Sequence, residues 1–470
     1  MSDSRYRLFL WLEIIKLPRF AVEEPERGAL RTMFLSEYKE FKYHEMSSVL
    51  IDHQSWETRF LSPLDSFVLG LFVKGLTREQ IVLFVATFYQ KSKQEAFKIV
   101  NVLLKPDMVP PPVTNIPDTM NNLFANFIRQ LKEKPTPLPY PAAAYIVLTK
   151  KCNFRCRYCF FDLDKDQNKE LDTNVVLQAV TTLSNMGTSF IYLSGGEPFV
   201  HPSFMDIVEM ILQKGMTPAF STNGCFLTAD RIAKLSSLGV KSIQVSLDTH
   251  NEDMHHYLTN SKNTFSKIIE AIKVLVEKKI FVTTKTVITS VNRTHITPLV
   301  EMLTKLGVNR IGIAIEAKGE YTRDHDSELF SPEELGAITL DVERAQKKYG
   351  KDRVIFGDMD ARWHKTDDIV ACGNVYCSCV VHANGDVGLC EKIQHIQDFT
   401  FGNIYDNDID TIWRGTNHLK LVKTVENKTK ACAECAACPE YESCGTGCFN
   451  LSKIAYDDFF AKDPRCVFKK

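Results

Sequence analysis

Hydrophobic and polar residues follow two different periods in the first part of the chain. Residues 42–51 and 57–61 have the composition of short β-strands. Ser62 and Pro63 then form a typical helix start, and apolar residues recur at helical spacing up to Gly75. These patterns predict at least two strands followed by a helix.

Two more helices follow in the same region. Thr77 with Gln80 and Ser92 with Glu95 each have capping-box spacing, which predicts helices ending near residues 89 and 104. Strands followed by three short helices are typical of a winged-helix module, predicted here over 1–110. Residues 111–141 are then predicted to form a linker, because prolines fix φ and favour extended chain.

The segment 142–330 alternates strand patterns with helical patterns. The predicted strands are 143–149, 190–194, 217–222, 242–247, 281–288 and 310–315. Several of the intervening helical patterns end at a glycine suited to a C-terminal cap: Gly187, Gly215, Gly239 and Gly307. Six strands with helical crossovers predict an α/β fold with a parallel sheet, either open or curled as a partial barrel. Chemistry in such sheets gathers at the C-terminal strand ends.

Composition narrows the class of protein. With 470 residues, 44% of them hydrophobic and 24% charged, the chain fits a globular protein of several domains. The 57 basic and 58 acidic side chains give no general attraction to nucleic acid or to an anionic membrane. The apolar run at 8–12 is too short to span a bilayer, so we expect a cytoplasmic protein without a nucleic-acid or membrane partner.

The 14 cysteines fall into two groups, three at 152–159 and ten at 372–466, with Cys225 alone. A disulfide scaffold is expected in small secreted domains, so these groups indicate metal or iron–sulfur ligation instead. Cys152, Cys156 and Cys159 lie just past the first predicted strand. Three thiolates can hold a [4Fe–4S] cube and leave one iron open, as a catalytic site requires. Zinc on three cysteines is the competing interpretation, but it usually needs a fourth ligand nearby.

The spacing of these cysteines, with Tyr158 before the last, resembles the signature of the radical S-adenosylmethionine (radical SAM) superfamily. The resemblance implies a partial (β/α)6 barrel and a catalytic cluster whose open iron binds SAM. Reductive cleavage of SAM would then give a 5′-deoxyadenosyl radical that abstracts a hydrogen atom from the substrate. Three strand ends, at 194–198, 221–224 and 246–248, resemble the family's cofactor contacts. The cofactor-binding residues so implied are Tyr158, Gly195, Gly196, Glu197, Thr222, Asn223, Ser246 and Asp248.

The region 355–470 resembles the SPASM extension of radical SAM enzymes, which carries two auxiliary iron–sulfur clusters. Carried over by position, the first cluster would use Cys372, Cys390 and Cys448, with either Cys377 or Cys379. The second would use Cys435, Cys438, Cys444 and Cys466. Cys432 has no assigned role. Such clusters accept an electron from a substrate radical or bind a substrate thiolate directly.

Residues 49–104 resemble the leader-peptide recognition element of ribosomal-peptide maturases, which adds the leader as a strand to a sheet edge. This domain combination occurs in enzymes that cross-link precursor peptides. The resemblance implies a maturase of the sactipeptide or ranthipeptide type, which forms a thioether between cysteine sulfur and a carbon atom. Its partners would be a precursor peptide with a leader and a one-electron donor of the flavodoxin or ferredoxin type.

Two other interpretations remain open. The same machinery could perform a different oxidative peptide modification, such as a carbon–carbon cross-link, decarboxylation or formylglycine formation in sulfatases. An iron–sulfur sensor with a DNA-binding winged helix belongs to another class, although Arg78, Lys91 and Lys93 offer few phosphate contacts. Lys285 and Glu316, on the fifth and sixth strands, are candidates for charged side chains that face a barrel interior.

Overall fold

A computed structural model describes most of the chain. The described residues are 31–36, 39–43, 48–52, 57–73, 75–88, 92–104, 108, 137–161, 169–315, 330–356, 374–393, 399–438, 447–463 and 466. Among them, the residues up to Pro139 form one compact unit, apart from Glu57, and those from Tyr140 onward form another. Most of the predicted linker at 111–141 lies outside the described residues, as does Glu316. Within the described part, no helix is both long enough and apolar enough to cross a membrane.

The first unit opens with a four-stranded sheet whose strands follow sequence order. The strands are β1 (Arg31–Ser36), β2 (Lys39–Tyr43), β3 (Ser48–Asp52) and β4 (Glu57–Phe60). β2 pairs antiparallel with β1 and with β3. The single strand predicted at 42–51 is therefore wrong, because those residues belong to two paired strands, and β1 escaped prediction.

Three helices follow, as predicted: α1 (Pro63–Val73), α2 (Arg78–Phe88) and α3 (Lys93–Leu103). Ser92 and Glu95 form the predicted capping box at the start of α3. The Thr77 backbone N–H donates to Gln80 Oε1 at 2.8 Å, which satisfies a donor at the start of α2. Buried side chains from all three helices, among them Phe67, Phe84 and Val100, form one hydrophobic core.

The second unit is built on a ten-stranded sheet. The first seven strands are β5 (Ala143–Thr149), β6 (Phe190–Gly195), β7 (Thr217–Thr222), β8 (Ser242–Ser246), β9 (Phe281–Ile288), β10 (Arg310–Ile315) and β11 (Val354–Phe356). They lie side by side in sequence order and pair parallel, so all six predicted strands are confirmed. The second neighbour of β5 is a strand from the C-terminal region, and the strand order of the described residues does not join β5 to β10 or β11.

Helices occupy the crossovers between these strands. They are α4 (Thr173–Met186), α5 (Phe204–Gln213), α6 (Ala229–Leu238), α7 (Glu252–Thr259), α8 (Phe265–Glu277), α9 (Ile296–Lys305) and α10 (Pro332–Tyr349). Gly187 and Gly239 cap α4 and α6 in the left-handed conformation, as the sequence predicts. The apolar residues of these helices and of the strands are largely buried and form the core of this unit.

The C-terminal region extends the same sheet. It contains α11 (Asn374–Cys377), β12 (Ser378–Val381), β13 (Asp386–Gly388), β14 (Thr400–Asn403), α12 (Ile409–Trp413), α13 (Thr416–Ala431), α14 (Ala433–Ala436) and α15 (Phe449–Tyr456). β12 pairs parallel with β5, and β13 and β14 add antiparallel strands. Gly385, with φ of +88°, lies in the turn between β12 and β13. The cysteine-rich region is thus joined by backbone hydrogen bonds to the strand that precedes the cysteine loop.

Candidate active site

The cysteine loop, residues 150–159, leaves the C-terminal end of β5 and is held against the end of α7. The backbone N–H groups of Arg155 and Arg157 donate to the carbonyls of Thr259 and Leu258 at 3.1 and 2.9 Å. Within the loop, Arg155 Nη1 donates to the Cys152 carbonyl at 2.7 Å. These hydrogen bonds fix the backbone on which all three predicted cluster ligands lie.

The three thiols are close enough to influence one another. Burial raises the pKa of Cys152 to about 12, and the Cys159 charge adds to this rise. Burial also raises the pKa of Cys156 well above its usual range, again with contributions from Cys152 and Cys159. Thiolates in such surroundings need a bound cation to stay ionised, as in metal sites.

Three thiolates on one loop are a donor set that suits an iron–sulfur cluster. Across the described residues, no three histidine, cysteine or acidic side chains converge to hold one metal ion. A cubane cluster takes each thiolate on a different iron, so its three ligands need not meet at one point. The soft donor set and the shared loop therefore fit a [4Fe–4S] cluster on Cys152, Cys156 and Cys159.

Two glycines at the end of β6 let the chain pass close to this loop. A Cβ on Gly195 would lie 2.3 Å from the Thr149 carbonyl oxygen, and one on Gly196 would lie 2.3 Å from the Lys151 carbonyl oxygen. The Gly196 N–H donates to the Thr149 carbonyl at 2.8 Å, and the Glu197 N–H donates to that of Lys151 at 2.9 Å. The sequence predicts that these glycines contact the cofactor. In the structure, the group that lies close to them is the backbone of the cysteine loop.

Glu197 joins the ends of β6 and β7. Its side chain is buried, and Oε1 accepts from Thr222 Oγ1 at 2.8 Å while Oε2 accepts from the Asn223 N–H at 2.8 Å. Burial raises the pKa of Glu197 to about 7, although these hydrogen bonds favour the ionised form. A carboxylate oxygen can accept more than one hydrogen bond, so the geometry leaves room for a further donor.

Asn223 connects the end of β7 to the cysteine loop. Its Nδ2 donates to Asn153 Oδ1 at 2.7 Å, and its Oδ1 accepts from the Cys225 N–H at 3.0 Å. Asn153 follows Cys152 directly, so this amide pair fixes the loop at its first ligand. The Cys225 thiol is half-buried beside this pair, and burial raises its pKa to about 11.

Asp248 accepts a hydrogen bond from the aromatic residue of the cysteine loop. The Tyr158 hydroxyl donates to Asp248 Oδ2, and the Val287 N–H donates to Oδ1 at 2.8 Å. Burial raises the pKa of Asp248 to about 6. Asn292, which the sequence analysis missed, donates from Nδ2 to the Asp248 and Val287 carbonyls, both at 2.9 Å. No motif marks Asn292, because its role depends on a contact between distant strand ends.

Ser246 lies at the end of β8 on the same sheet face as two other polar residues. It pairs in register with Lys285 of β9, which is partly exposed, as expected for a side chain on the open face. On β6, the Ser194 hydroxyl donates to the carboxylate of Glu391. Glu391 was also missed, although its place directly after the predicted ligand Cys390 was a usable signal.

Two protein-family models match the segments that carry these residues. Residues 146–306 match the Radical SAM superfamily, and residues 372–439 match SPASM, an iron–sulfur cluster-binding domain. The protein is a radical SAM enzyme. Its radical SAM domain implies a [4Fe–4S] cluster and SAM, and its SPASM domain implies auxiliary iron–sulfur clusters.

This radical SAM enzyme is similar to several characterised proteins. It is 25% identical to the mycofactocin maturase MftC of Mycolicibacterium smegmatis over 68% of this chain and 81% of the relative. It is 23% identical to the PqqA peptide cyclase of Methylocella silvestris over 71% of this chain and 89% of the relative. Among solved structures, Streptococcus suis SuiB bound to its precursor peptide SuiA superposes with a TM-score of 0.63 at 15% identity, covering 93% of this chain and 100% of SuiB.

Several predicted auxiliary ligands of the radical SAM enzyme lie near one another. The charge of Cys448 adds to the burial that raises the pKa of Cys390 to about 12. Asp463 Oδ2 accepts from the Cys448 N–H at 2.7 Å, and the Asp463 carbonyl accepts from the Cys466 N–H at 2.9 Å. One buried aspartate therefore holds a ligand predicted for each auxiliary cluster. The prediction extends beyond the SPASM match, which ends at residue 439.

The remaining cysteines are placed as follows. Cys435 and Cys438 form one turn, in which the Cys438 N–H donates to the Cys435 carbonyl at 3.0 Å. Cys377 and Cys379 are both fully buried, and burial raises the pKa of each thiol to about 12. Cys432 is buried at the start of α14. The predicted ligands Cys372 and Cys444 lie outside the described residues.

Proposed function

We propose that this radical SAM enzyme installs thioether cross-links in a ribosomally made precursor peptide. The first unit would hold the leader of that peptide, and a flavodoxin or ferredoxin type of protein would supply single electrons. The observation that carries the proposal is the extent of the likeness to SuiB, which covers 93% of this chain and therefore reaches into the first unit. MftC and the PqqA peptide cyclase, both named for peptide maturation or cyclisation, support a peptide substrate.

The first unit has a sheet suited to the leader. Its outermost strands are β1 and β4. An edge strand presents unpaired backbone N–H and C=O groups, to which an extended peptide can add as another strand. We propose that a winged-helix type of recognition element in this unit binds the leader in this way.

The proposed catalytic site consists of three cluster ligands and the residues around them. Cys152, Cys156 and Cys159 would hold the cluster, with Tyr158, Gly195, Gly196, Glu197, Thr222, Asn223, Ser246 and Asp248 around SAM. When bound, the cluster and SAM supply a 5′-deoxyadenosyl radical, which removes a hydrogen atom from the substrate. The chain's own contribution is to fix the loop by the Tyr158–Asp248 and Asn153–Asn223 hydrogen bonds.

An auxiliary cluster on the C-terminal cysteines would accept the second electron that the peptide loses. Joining a sulfur to a carbon removes one S–H and one C–H hydrogen from the peptide, so the reaction is a two-electron oxidation. Cys390 lies between β13 and β14 of the sheet extension that pairs with β5, and Ser194 bonds the neighbouring Glu391. Cys448, just before α15, is close enough for its charge to raise the pKa of Cys390. An auxiliary cluster held at Cys390 would be linked to the end of β6 by the Ser194–Glu391 hydrogen bond.

The test is co-expression with a cysteine-containing small peptide gene found beside this gene, followed by mass spectrometry. The proposal predicts a peptide lighter by two hydrogen atoms for each cross-link, with the linked cysteines resistant to iodoacetamide. A peptide that has lost the hydrogens but whose cysteines are all alkylated would indicate a carbon–carbon cross-link. Loss of carbon dioxide would indicate decarboxylation. Either result overturns the thioether proposal.

A matched variant shows that the change needs this site. Replacing Cys156 by alanine should abolish the mass change, because the cluster loses one of its three ligands. Cys225→Ala is the control, since Cys225 is half-buried in the same part of the unit and has no proposed ligand role. Equal modification by both variants would contradict the proposal.

A further inference from the structure

We propose that Gln244 positions the substrate peptide by accepting a hydrogen bond from one of its backbone N–H groups. The assignment rests on the proposed function and adds a substrate-binding residue to the same site. Gln244 lies in the middle of β8, one of the central strands of the sheet. It is not a cofactor contact implied by the family resemblance.

The sheet face that carries Gln244 differs from the opposite face. Ile243 and Val245, its neighbours in β8, point to the other face and are 0% exposed. Gln244 is partly exposed, as is its register partner Ser221 on β7. Central strands of parallel sheets are usually apolar on both faces, because helices cover both. Partly exposed polar residues at the centre of this sheet therefore mark a place on this face that other chain segments do not fully cover.

Two neighbours fix the orientation of the Gln244 side chain. Its Nε2 donates to Ser221 Oγ at 2.9 Å and to Tyr192 Oη at 3.3 Å. Both hydrogen bonds use the nitrogen. Within the part of the chain that the structure describes, the amide oxygen Oε1 is left to accept from a ligand. An amide held by two neighbouring strands is an ordered acceptor, which loses little side-chain entropy on binding.

Gln244 also lies beside the predicted cofactor contacts. The Tyr192 ring packs on Tyr145 with 5.4 Å between centroids, and Tyr145 packs in the same cluster as Cys152 and Cys159. In the other direction, Ser246 lies two residues further along β8 and so points to the same face. The amide thus lies on the face between the cysteine loop and the predicted cofactor contact Ser246.

The chemistry of this surface suits a peptide. A peptide offers one backbone N–H per residue, and the free oxygen of Gln244 accepts such a donor. The rings of Tyr145 and Tyr192 provide an apolar surface with polar tips, on which a substrate side chain can pack. A contact to the substrate here would hold the reacting residue in register without taking part in the chemistry.

The experiment uses purified wild-type enzyme, Gln244→Leu and Gln244→Glu with the same cysteine-containing peptide as the co-expression test. Product formation and 5′-deoxyadenosine release are measured with and without peptide. We expect Gln244→Leu to lower kcat/KM for the peptide about tenfold, the value of one lost hydrogen bond. Release of 5′-deoxyadenosine without peptide should stay unchanged. Gln244→Glu should recover most of the loss, because its carboxylate still accepts and the Ser221 and Tyr192 hydroxyls can donate to it.

The controls separate the possible failures. Gln213→Leu, on the exposed surface of α5, should leave all values unchanged, and equal iron content of all variants would exclude misfolding. Unchanged kcat/KM in Gln244→Leu would overturn the assignment. Equal loss of 5′-deoxyadenosine release without peptide would also overturn it, since Gln244 would then act on SAM. A wild-type enzyme that leaves the peptide unmodified would contradict the proposed function. The assignment of Gln244 would then be contradicted as well, because it rests on that function.

Discussion

The Tyr158 hydroxyl donates a hydrogen bond to the Asp248 carboxylate, although 90 positions separate the two residues in the chain. Tyr158 lies between two of the predicted cluster ligands, and Asp248 follows β8. The contact therefore ties the cysteine loop to the strand end that resembles a SAM contact. Because Asp248 is buried and Tyr158 is partly buried, their hydrogen bond is partly shielded from competing water.

Asp248→Asn should change how stability depends on pH in the cluster-free protein. The variant keeps both contacts, since Asn Oδ1 can accept from Val287 and Nδ2 can donate to Tyr158. The folded-state pKa of Asp248 is raised from 3.8 to about 6. A raised pKa means that its stabilising effect is complete below pH 4 and is lost as pH rises through about 6. The wild type should therefore lose up to about 3 kcal/mol of unfolding free energy over this range that the variant keeps.

Urea denaturation of both proteins from pH 4 to pH 8 measures this difference. Glu197, whose pKa is also raised by burial, contributes a similar decline up to about pH 7 in both proteins. The difference between the two curves isolates Asp248. Parallel curves would show that Asp248 is not a buried, proton-binding group in the folded protein.

Gly196→Ala should prevent the cysteine loop from closing on the end of β6. The added Cβ would lie 2.3 Å from the Lys151 carbonyl oxygen, so backbone must move. We expect a loss of about 2 kcal/mol or more in unfolding free energy and less iron on the catalytic ligands. Gly336→Ala is the matched control: in α10 its Cβ meets nothing within 4 Å, and alanine should stabilise that helix by about 0.5–1 kcal/mol. Equal stability of the two variants would contradict the close approach.

Local patterns predicted most of the sheet and its helix ends. Apolar runs and crossover spacing located all six strands from β5 to β10, because each is buried and bounded by turn residues. The strands of the first unit were harder to predict. Residues 42–51 look like one strand, since nothing in that composition marks the boundary between β2 and β3. Neither could the pairing of β12 with β5 be predicted, as it joins segments more than 200 residues apart.

Motifs predicted the site's main residues but not their supports. Tyr158, Glu197 and Asp248 were marked by sequence because each stands in a spaced motif or at a strand end. Asn292 supports the site through contacts with a distant strand end, which leave no local pattern. Glu391 contacts Ser194 on a distant strand, and its only local signal is its place directly after Cys390. The prediction for the glycines was also incomplete, because the Lys151 carbonyl that lies close to Gly196 belongs to another segment.

Asp463→Ala should reduce auxiliary cluster loading. Asp463 accepts from the backbone N–H groups of Cys448 and Cys466 through its side chain and its carbonyl, and the variant loses the side-chain contact at 2.7 Å. If Cys448 is a ligand, we expect a loss of about four irons per chain after reconstitution. Asp458→Ala, at an exposed position nearby, should keep the wild-type iron content. Equal iron in both variants would show that Asp463 does not order an auxiliary ligand.

The most direct test compares wild-type enzyme with the triple variant Cys152→Ala, Cys156→Ala, Cys159→Ala after anaerobic reconstitution. Iron per chain and 5′-deoxyadenosine release from SAM under reductant are measured on the same preparations. We predict about twelve irons in the wild type, about four fewer in the variant, and complete loss of SAM cleavage. Unchanged iron in the variant, zinc in place of iron, or SAM cleavage that persists without the three cysteines would contradict a catalytic cluster at this loop.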